Sequence, residues 1–198
     1  WRNRTRSLII MTAIALGLSG GLISSAVNFG MADQMIKSAI LTQTSHIQIH
    51  HPEFAKDRDI NFTIPDALTL SGKIKRIRNV LAVSPRVVIT AMAASPVTAT
   101  GVQVFGIDPA SESGISDIDQ SITKGTYFQS NARNPVVIGE KLAEVLDVRL
   151  GSKIVLTFQN DSGEITGGAF RVDGIFKTVS SEYDKGNVFV KNKDIWGL

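Results

Sequence analysis

The sequence contains no cysteine among its 198 residues. Without thiols the chain cannot form disulfides, hold a metal through thiolates or use a cysteine nucleophile. It also lacks a phosphate-binding glycine loop, which is typical of nucleotide-binding proteins. We therefore expect no catalytic residue, no cofactor and no metal site.

The second absence is an absence of charge near the start of the chain. The segment Ser7–Ala32 has 26 residues without a charged side chain, preceded by Arg2, Arg4 and Arg6 and ended by Asp33. At about 1.5 Å per residue a helix of this length crosses the roughly 30 Å hydrocarbon core of a bilayer. Because the arginines lie on one side only, the positive-inside rule places that side in the cytoplasm and the rest of the chain outside.

Two alternatives to a permanent membrane anchor stay open at this point. A cleaved secretory signal also has a basic start and an apolar middle, and Ser24 and Ala26 supply small residues around a cleavage point. The apolar run is longer than a signal core, and the chain begins with Trp1, which we interpret as a sign of further sequence upstream. The alternatives are a secreted binding domain with its signal retained and a receptor or adaptor with a single span.

The charge balance argues against nucleic acid as a partner. The chain carries 21 Lys and Arg against 18 Asp and Glu, so without the three N-terminal arginines the charges balance. A neutral domain has no continuous basic surface to follow a phosphate backbone. The densest basic cluster comprises Lys73, Lys75, Arg76 and Arg78, and we interpret it as a solvated helix face.

Small residues recur at every fourth position of the apolar run. They are Ala13, Gly17, Gly21 and Ser25, which we call the small-residue face. In lipid, helices associate through close approach at small residues, because hydrocarbon provides no hydrophobic driving force between them. The spacing predicts that this face packs against another membrane helix; the alternative is that it reflects the general abundance of glycine in membrane helices.

The remaining chain predicts a mixed α+β fold. We expect a stalk over Asp33–Thr44 that continues the membrane helix, which defines residues 1–44 as cytoplasmic end, span and stalk, and residues 45–198 as the extracytoplasmic domain. This domain should form two small lobes, one with a helix on a sheet and one rich in strands. Helices are predicted at Asp66–Arg78, Ile115–Ile122 and Glu140–Leu146. Strands are predicted at His46–His50, Val80–Val83, Arg86–Met92, Gly101–Ile107, Pro135–Ile138, Ile154–Phe158, Phe170–Phe176 and Asn187–Val190.

Candidate metal ligands have weak support. His46, His50 and His51 have no carboxylate placed by sequence to complete a site. Asp117 and Asp119, with Glu112 nearby, do not have the spacing of a calcium loop, and we interpret them as a solvated acidic loop. We expect Tyr127, Phe128 and Trp196 to be packing residues.

Several motifs in order carry a family resemblance. They are Trp1–Arg6, then Phe105–Pro109, Val137–Ala143, Val148–Lys153, Val172–Phe176 and Glu182–Asp184. The chain resembles the N-terminal half of ABC-transporter permeases of the FtsX-like family, which carry a MacB-like periplasmic core domain. The resemblance runs from Trp1 to about Val190.

The resemblance implies a bacterial inner-membrane protein without catalytic activity of its own. Permeases of this type have four membrane helices, with the external domain between the first two. A separate cytoplasmic ABC ATPase hydrolyses ATP, and the permease pair, with a second copy or a paralogue, transmits the motion outside for lipoprotein release or drug export. A periplasmic carrier or adaptor protein is a further partner in such systems.

Two departures from the family pattern concern the carrier and the end of the domain. In the lipoprotein-releasing branch a proline-containing loop captures the carrier, between the strands that match Ile154–Phe158 and Phe170–Phe176. Here that connection is Gln159–Ala169, eleven residues without proline. We do not expect a hook of that kind, and we expect the domain of residues 45–198 to be incomplete at its C-terminal end.

Overall fold

A computed structural model describes residues 3–40, 45–56, 58–130, 132–160 and 162–196. Its first element is α1, Arg4–Ala39, an uninterrupted helix of 36 residues. At 1.5 Å per residue this helix is about 54 Å long, more than the hydrocarbon core requires. The helix continues beyond Asp33 as predicted, and the last part of the expected stalk, residues 41–44, lies outside the described residues.

The segment between α1 and the first strand has little regular structure. It contains α2, Ala67–Ile74, which ends earlier than predicted because the chain tightens into single turns that end at Asn79, with a φ of 73°. The predicted strands His46–His50 and Val80–Val83 are wrong. Alternation alone does not make a strand, because an extended segment needs a neighbour to accept its backbone hydrogen bonds.

Residues 87–196 form the barrel domain, in which a single sheet contains seven strands. The strands are β1 Val87–Ala94, β2 Ala99–Ile107, β3 Ile122–Gly125, β4 Pro135–Gly139, β5 Lys153–Gln159, β6 Ile165–Phe176 and β7 Asn187–Lys191. The helices are α3 Pro109–Glu112, α4 Glu140–Leu146, α5 Ser181–Gly186 and α6 Asn192–Ile195. The α+β class with an N-terminal apolar helix is confirmed.

The long strand β6 closes the sheet on itself. The strand order is β3-β6-β4-β7-β2-β1-β5, and β5 pairs in turn with β6. The first half of β6 pairs with β5 over Ile165–Arg171, and its second half pairs with β4 over Arg171–Phe176. All strands except β3 therefore belong to one ring, which is the arrangement of a small barrel filled by side chains.

Two separate clusters of buried side chains lie on the two faces of this sheet. The inner cluster takes alternate residues from every strand of the ring, for example Ile89, Val104 and Leu156, and includes Leu142 and Leu146 of α4. The outer cluster includes Phe176, Phe189 and Tyr183. The predicted two lobes do not appear as separate units here, because all seven strands belong to one sheet and the two clusters lie on its opposite faces.

Local predictions inside the barrel domain have mixed outcomes. Helix α4 has the predicted bounds, and a hairpin joins β1 and β2. The predicted helix Ile115–Ile122 is wrong, because the chain there runs through turns and Ile122 begins β3, where it pairs with β6. Gly167 and Gly168 lie within β6. A Cβ at Gly167 would lie 2.5 Å from the carbonyl oxygen of Leu156, so only glycine allows this strand approach.

Candidate functional site

The small-residue face lies on α1 as predicted from the spacing. Ala13, Gly17, Gly21 and Ser25 belong to one continuous helix, and a Cβ built on Gly17 or Gly21 meets no atom within 4 Å. Since residues four apart are neighbours on a helix surface, the four side chains line one side of α1. No residue in the most apolar window of this helix is buried against the rest of the described chain.

Polar side chains within α1 bond to the helix itself. Asn28 Nδ2 donates to the carbonyl oxygen of Ser24 at 2.9 Å, and the hydroxyl of Thr12 donates to the carbonyl oxygen of Leu8. Hydrocarbon offers no water to satisfy a polar group, and these back-bonds reduce that cost. The interior of α1 is therefore compatible with lipid despite its polar residues.

Charges occur only at the two ends of α1. Arg4 and Arg6 lie in its first turn, and Arg2 lies outside the described residues. At the other end Asp33 and Lys37 form an ion pair with a distance of 2.7 Å. The long uncharged part between them is what a membrane-spanning helix requires.

The barrel domain contains a buried charged pair that the sequence did not reveal. Glu112, at the end of α3, is completely buried, and its Oε1 lies 2.5 Å from Nη2 of Arg86. Arg86 Nε donates to Oε2 at 3.1 Å, Ser84 Oγ donates to Oε2 at 2.9 Å and Ser116 Oγ donates to Oε1 at 2.8 Å. The guanidinium also lies 6.0 Å from the ring centroid of Phe105. These bonds fasten the connection after β2 to the start of β1.

This pair corrects the prediction of a solvated acidic loop. Glu112 has its hydrogen bonds inside the protein, and Asp117 and Asp119 are half-buried. Within the described ranges, no group of three or more His, Asp and Glu residues is arranged to hold a metal ion. Because both charges of the Arg86–Glu112 pair are used in mutual contact, the arrangement serves to hold the chain in place.

Two tyrosines lie beside the charged pair. Burial, and then the charge of Glu112, raises the pKa of Tyr127, and its buried hydroxyl has no hydrogen-bond partner among the residues that the structure describes. Burial also raises the pKa of Tyr183, although the nearby charge of Arg86 opposes the shift. Both phenols therefore stay protonated at neutral pH, and they act here as packing groups.

Other aromatic and histidine residues are distributed without forming a site. Phe128 is buried, as predicted, whereas Trp196 is 69% exposed, so its predicted packing role is wrong. The ring of His51 stacks on Phe62 with a centroid distance of 5.2 Å, and His50 lies 5.9 Å from Phe54. Two of the three histidines considered as metal ligands therefore have their rings in contact with a phenylalanine ring.

A second buried carboxyl group fastens α5 to the connection that leads into it from β6. Asp184 accepts hydrogen bonds from the backbone nitrogen of Thr178 at 3.1 Å and from its hydroxyl at 2.8 Å. Burial raises the pKa of Asp184. On the surface nearby, a hydrogen bond from Lys177 lowers the pKa of Glu140, and the two side chains are 2.8 Å apart.

The sequence from residue 7 to residue 196 matches the family described as MacB-like periplasmic core domain. The chain belongs to this family. The predicted resemblance to ABC-transporter permeases that carry such a domain is confirmed, and the match includes α1 as well as the barrel domain. The family match therefore joins the barrel domain to a helix that is long and apolar enough to cross a membrane.

Solved structures similar to this MacB-like domain are remote in sequence. The extracellular domain of the noncanonic ABC-type transporter YknZ from Gram-positive bacteria is 19% identical, with a TM-score of 0.45, and the match covers 65% of each chain. A domain of a permease protein from Porphyromonas gingivalis is 12% identical, with a TM-score of 0.41, over 62% of this chain and 55% of that one. The chain thus spans less than two thirds of either structure. No protein with a curated function matches the sequence.

Proposed function

We propose that the chain is the first membrane helix and the external head of an ABC-transporter permease in a bacterial inner membrane. Residues 1–44 would form the cytoplasmic end, the span and the stalk, and residues 45–198 the head. The family match over residues 7–196, which includes the charge-free helix, is the observation that carries this proposal. The arginines before α1 support a cytoplasmic N-terminal end.

In this proposal the chain has a mechanical role and performs no catalysis. A separate cytoplasmic ABC ATPase would hydrolyse ATP, and α1 would carry the resulting motion to the head. A continuous helix of 36 residues is suited to this role because it moves as a rod. The closed ring of the barrel domain is suited to it as well, since every strand of the ring has a neighbour on each side that resists deformation.

The partner of α1 would be a helix of a second permease copy or of a paralogue. The small-residue face supports this, because Gly17 and Gly21 leave open space on the helix surface where another backbone can approach closely. In bilayers, such close contact is a main source of helix association. Ala13 and Ser25 would extend the contact by one turn at each end.

The cargo of the transporter would be a lipoprotein or another exported molecule. The connection between β5 and β6 bears on this choice, because Gln159 pairs with Ile165 and leaves only residues 160–164 outside the strands. A tight hairpin without proline differs from the carrier-capturing loop that the family resemblance describes. We therefore favour export without that hook, with any periplasmic carrier or adaptor bound elsewhere.

Substitution of the small-residue face tests the assembly of the proposed transporter. We expect the double variant Gly17→Leu/Gly21→Leu of the complete permease to lose co-purification with its partner subunit and its cytoplasmic ATPase from membranes. A matched control, Ala26→Leu/Gly30→Leu, places the same side chains on the opposite side of α1.

The two variants make the outcome decisive. If the control assembles and the Gly17/Gly21 variant does not, while its head keeps the protease resistance of the parent, the small-residue face is the contact. Full assembly of the Gly17/Gly21 variant would refute the proposal that the small-residue face contacts the partner helix. If the complete permease never co-purifies with an ATPase, the proposal that the chain belongs to an ABC transporter is refuted.

A further inference from the structure

The chain enters the barrel domain through a short arm, residues 81–86, which comes directly before β1 and contains no helix or strand. Every second side chain of the arm faces the same stretch of the barrel domain, residues 111–116. These side chains are Ala82, Ser84 and Arg86. Such alternation is that of an extended chain lying along its neighbour.

The arm lies close against this stretch of the barrel domain. A Cβ built on Gly114 would lie 3.2 Å from the Cβ of Ala82, which is shorter than the optimal separation of two carbon atoms. Two residues further on, Ser84 Oγ lies 3.5 Å from Oγ of Ser111 and donates to Oε2 of Glu112 at 2.9 Å. The arm and the barrel domain therefore touch at both apolar and polar positions.

The carboxylate of Glu112 receives most of its hydrogen bonds from the arm. Its Oε1 accepts from Arg86 Nη2 and from Ser116 Oγ. Its Oε2 accepts from Arg86 Nε and from Ser84 Oγ. A carboxylate has about four acceptor positions, so these donors fill it. Three of these bonds originate in the arm, and the bond from Ser116 originates inside the barrel domain.

Burial makes release of the arm unfavourable. Glu112 is completely buried, and a buried carboxylate that loses its cation is left with an uncompensated charge. The two nitrogens of Arg86 also hold the carboxylate in the fixed geometry of a bidentate pair. A contact of this kind stays closed when the chain on one side of it is displaced.

We propose that Glu112 couples the arm to the barrel domain, so that the membrane-proximal chain and the barrel move as one body. An arm without regular structure would otherwise bend and absorb the displacement that α1 delivers. Glu112 is thus a positioning residue for the transport cycle. This inference rests on the proposed function, because the motion of α1 is what the arm passes on.

Spin labels on the arm and on the barrel measure this coupling in the complete permease, from which any cysteine outside residues 1–198 is removed. Leu81→Cys and Val155→Cys place the labels on the arm and on β5, at side chains that are 96% and 45% exposed. Labelled copies are diluted with unlabelled ones, so that only distances within one chain are recorded. The permease with these two labels and no further change is the reference.

A matched pair of leucine variants separates loss of the contact from the effect of the new side chain. Ser84→Leu removes a donor to Glu112 and adds bulk where the arm touches the barrel, whereas Ser113→Leu adds the same side chain at an exposed position. Without nucleotide, we expect Ser84→Leu to broaden the arm–barrel distance distribution at least about twofold, and Ser113→Leu to leave it unchanged. Ser84→Ala adds no bulk and should broaden it less. In each variant a separate Ala93→Cys thiol, 0% exposed, should stay unreactive, which shows that the barrel remains folded.

Addition of ATP to the assembled transporter tests the transmission of motion. We expect the same distance with and without ATP in the reference and in Ser113→Leu. In Ser84→Leu the distance should change with ATP, because the arm then moves without the barrel. An ATP-dependent distance in the reference would overturn the proposal, as would equal widths for Ser84→Leu and Ser113→Leu.

Two remaining outcomes distinguish this proposal from the transporter proposal. A broadened distribution in Ser84→Leu that does not respond to ATP would overturn the role of Glu112 in transmission. Failure of the transporter proposal is a different result, because no ATPase would then co-purify. The widths measured without nucleotide would still show whether Glu112 holds the arm.

Discussion

Replacing Arg86 with methionine should destabilise the barrel domain by about 3–5 kcal/mol, because the carboxylate of Glu112 would stay buried without its counter-charge. Methionine keeps most of the length of the side chain, so the contact with Phe105 is largely retained. The variant therefore tests the charge and its hydrogen bonds more than the packing.

The magnitude follows from the burial of the pair. The side chain of Glu112 is 0% exposed and that of Arg86 is 15% exposed, so water cannot replace the lost guanidinium. Arg86 donates through two nitrogens, and without them this carboxylate would keep the hydroxyls of Ser84 and Ser116 as donors. The expected loss is a large part of the roughly 5–15 kcal/mol by which folded domains are stable.

Urea unfolding measured through a buried thiol gives the assay. Ala93 is 0% exposed, so a cysteine there reacts with a thiol reagent only when the barrel opens, and the Ala93→Cys chain serves as the reference. With a slope of about 2 kcal/mol per molar urea, Arg86→Met should lower the unfolding midpoint by about 2 M. The control, Lys141→Met, removes an exposed partner of Glu144 and should cost less than about 1 kcal/mol.

A double variant identifies the cause of the loss. Arg86→Met combined with Glu112→Gln removes both charges, and it should be more stable than Arg86→Met alone because no buried charge is left uncompensated. Equal midpoints for Arg86→Met and the Lys141→Met control would refute the reasoning. A double variant less stable than Arg86→Met would show that hydrogen bonding outweighs charge burial.

Three further predictions concern the rest of the barrel domain. Gly139→Ala should cost about 3 kcal/mol, since its Cβ would lie 2.0 Å from the carbonyl oxygen of Asp184, whereas Gly101→Ala in open space should change the urea midpoint little. Burial raises the pKa of Asp184, so its stabilising effect is complete below the unfolded-state pKa of about 4 and is lost as the pH rises through the folded value. Asp184→Asn should therefore flatten the fall of the urea midpoint with rising pH, and a fall as steep as in the parent would contradict this. Lys177→Met should raise the pKa of Glu140 toward its ordinary value in a carboxyl NMR titration, and an unchanged pKa would show that their hydrogen bond is not formed in solution.

Predictions that depended on neighbouring residues agree best with the structure. Helix α4 follows from Leu142, Ala143 and Leu146, which repeat at helical spacing and enter the inner cluster together. The strands β4, β5 and β7 follow from short apolar runs between turn residues. In each case the pattern within about ten residues decides both the element and the face it buries.

Predictions failed where distant partners decide the outcome. His46–His50 alternates like a strand but has no adjacent strand to pair with in the described structure. The run that ends at Ile122 has apolar residues compatible with a helix, yet pairing of Ile122 with Phe176 draws it into the sheet. Backbone pairing across more than fifty residues is not visible in a local pattern.

The sequence by itself determined the position of a helix long and apolar enough to cross a membrane, its expected orientation and the lack of cysteine in residues 1–198. Each of these depends only on which residues occur in one stretch of chain and on the hydrocarbon thickness common to all bilayers. The tertiary structure alone decided that β6 closes the sheet into a ring and that Arg86 neutralises Glu112. The reason is physical: these contacts join residues far apart in the chain, and burial of a charge or an edge exists only once the surrounding elements have packed.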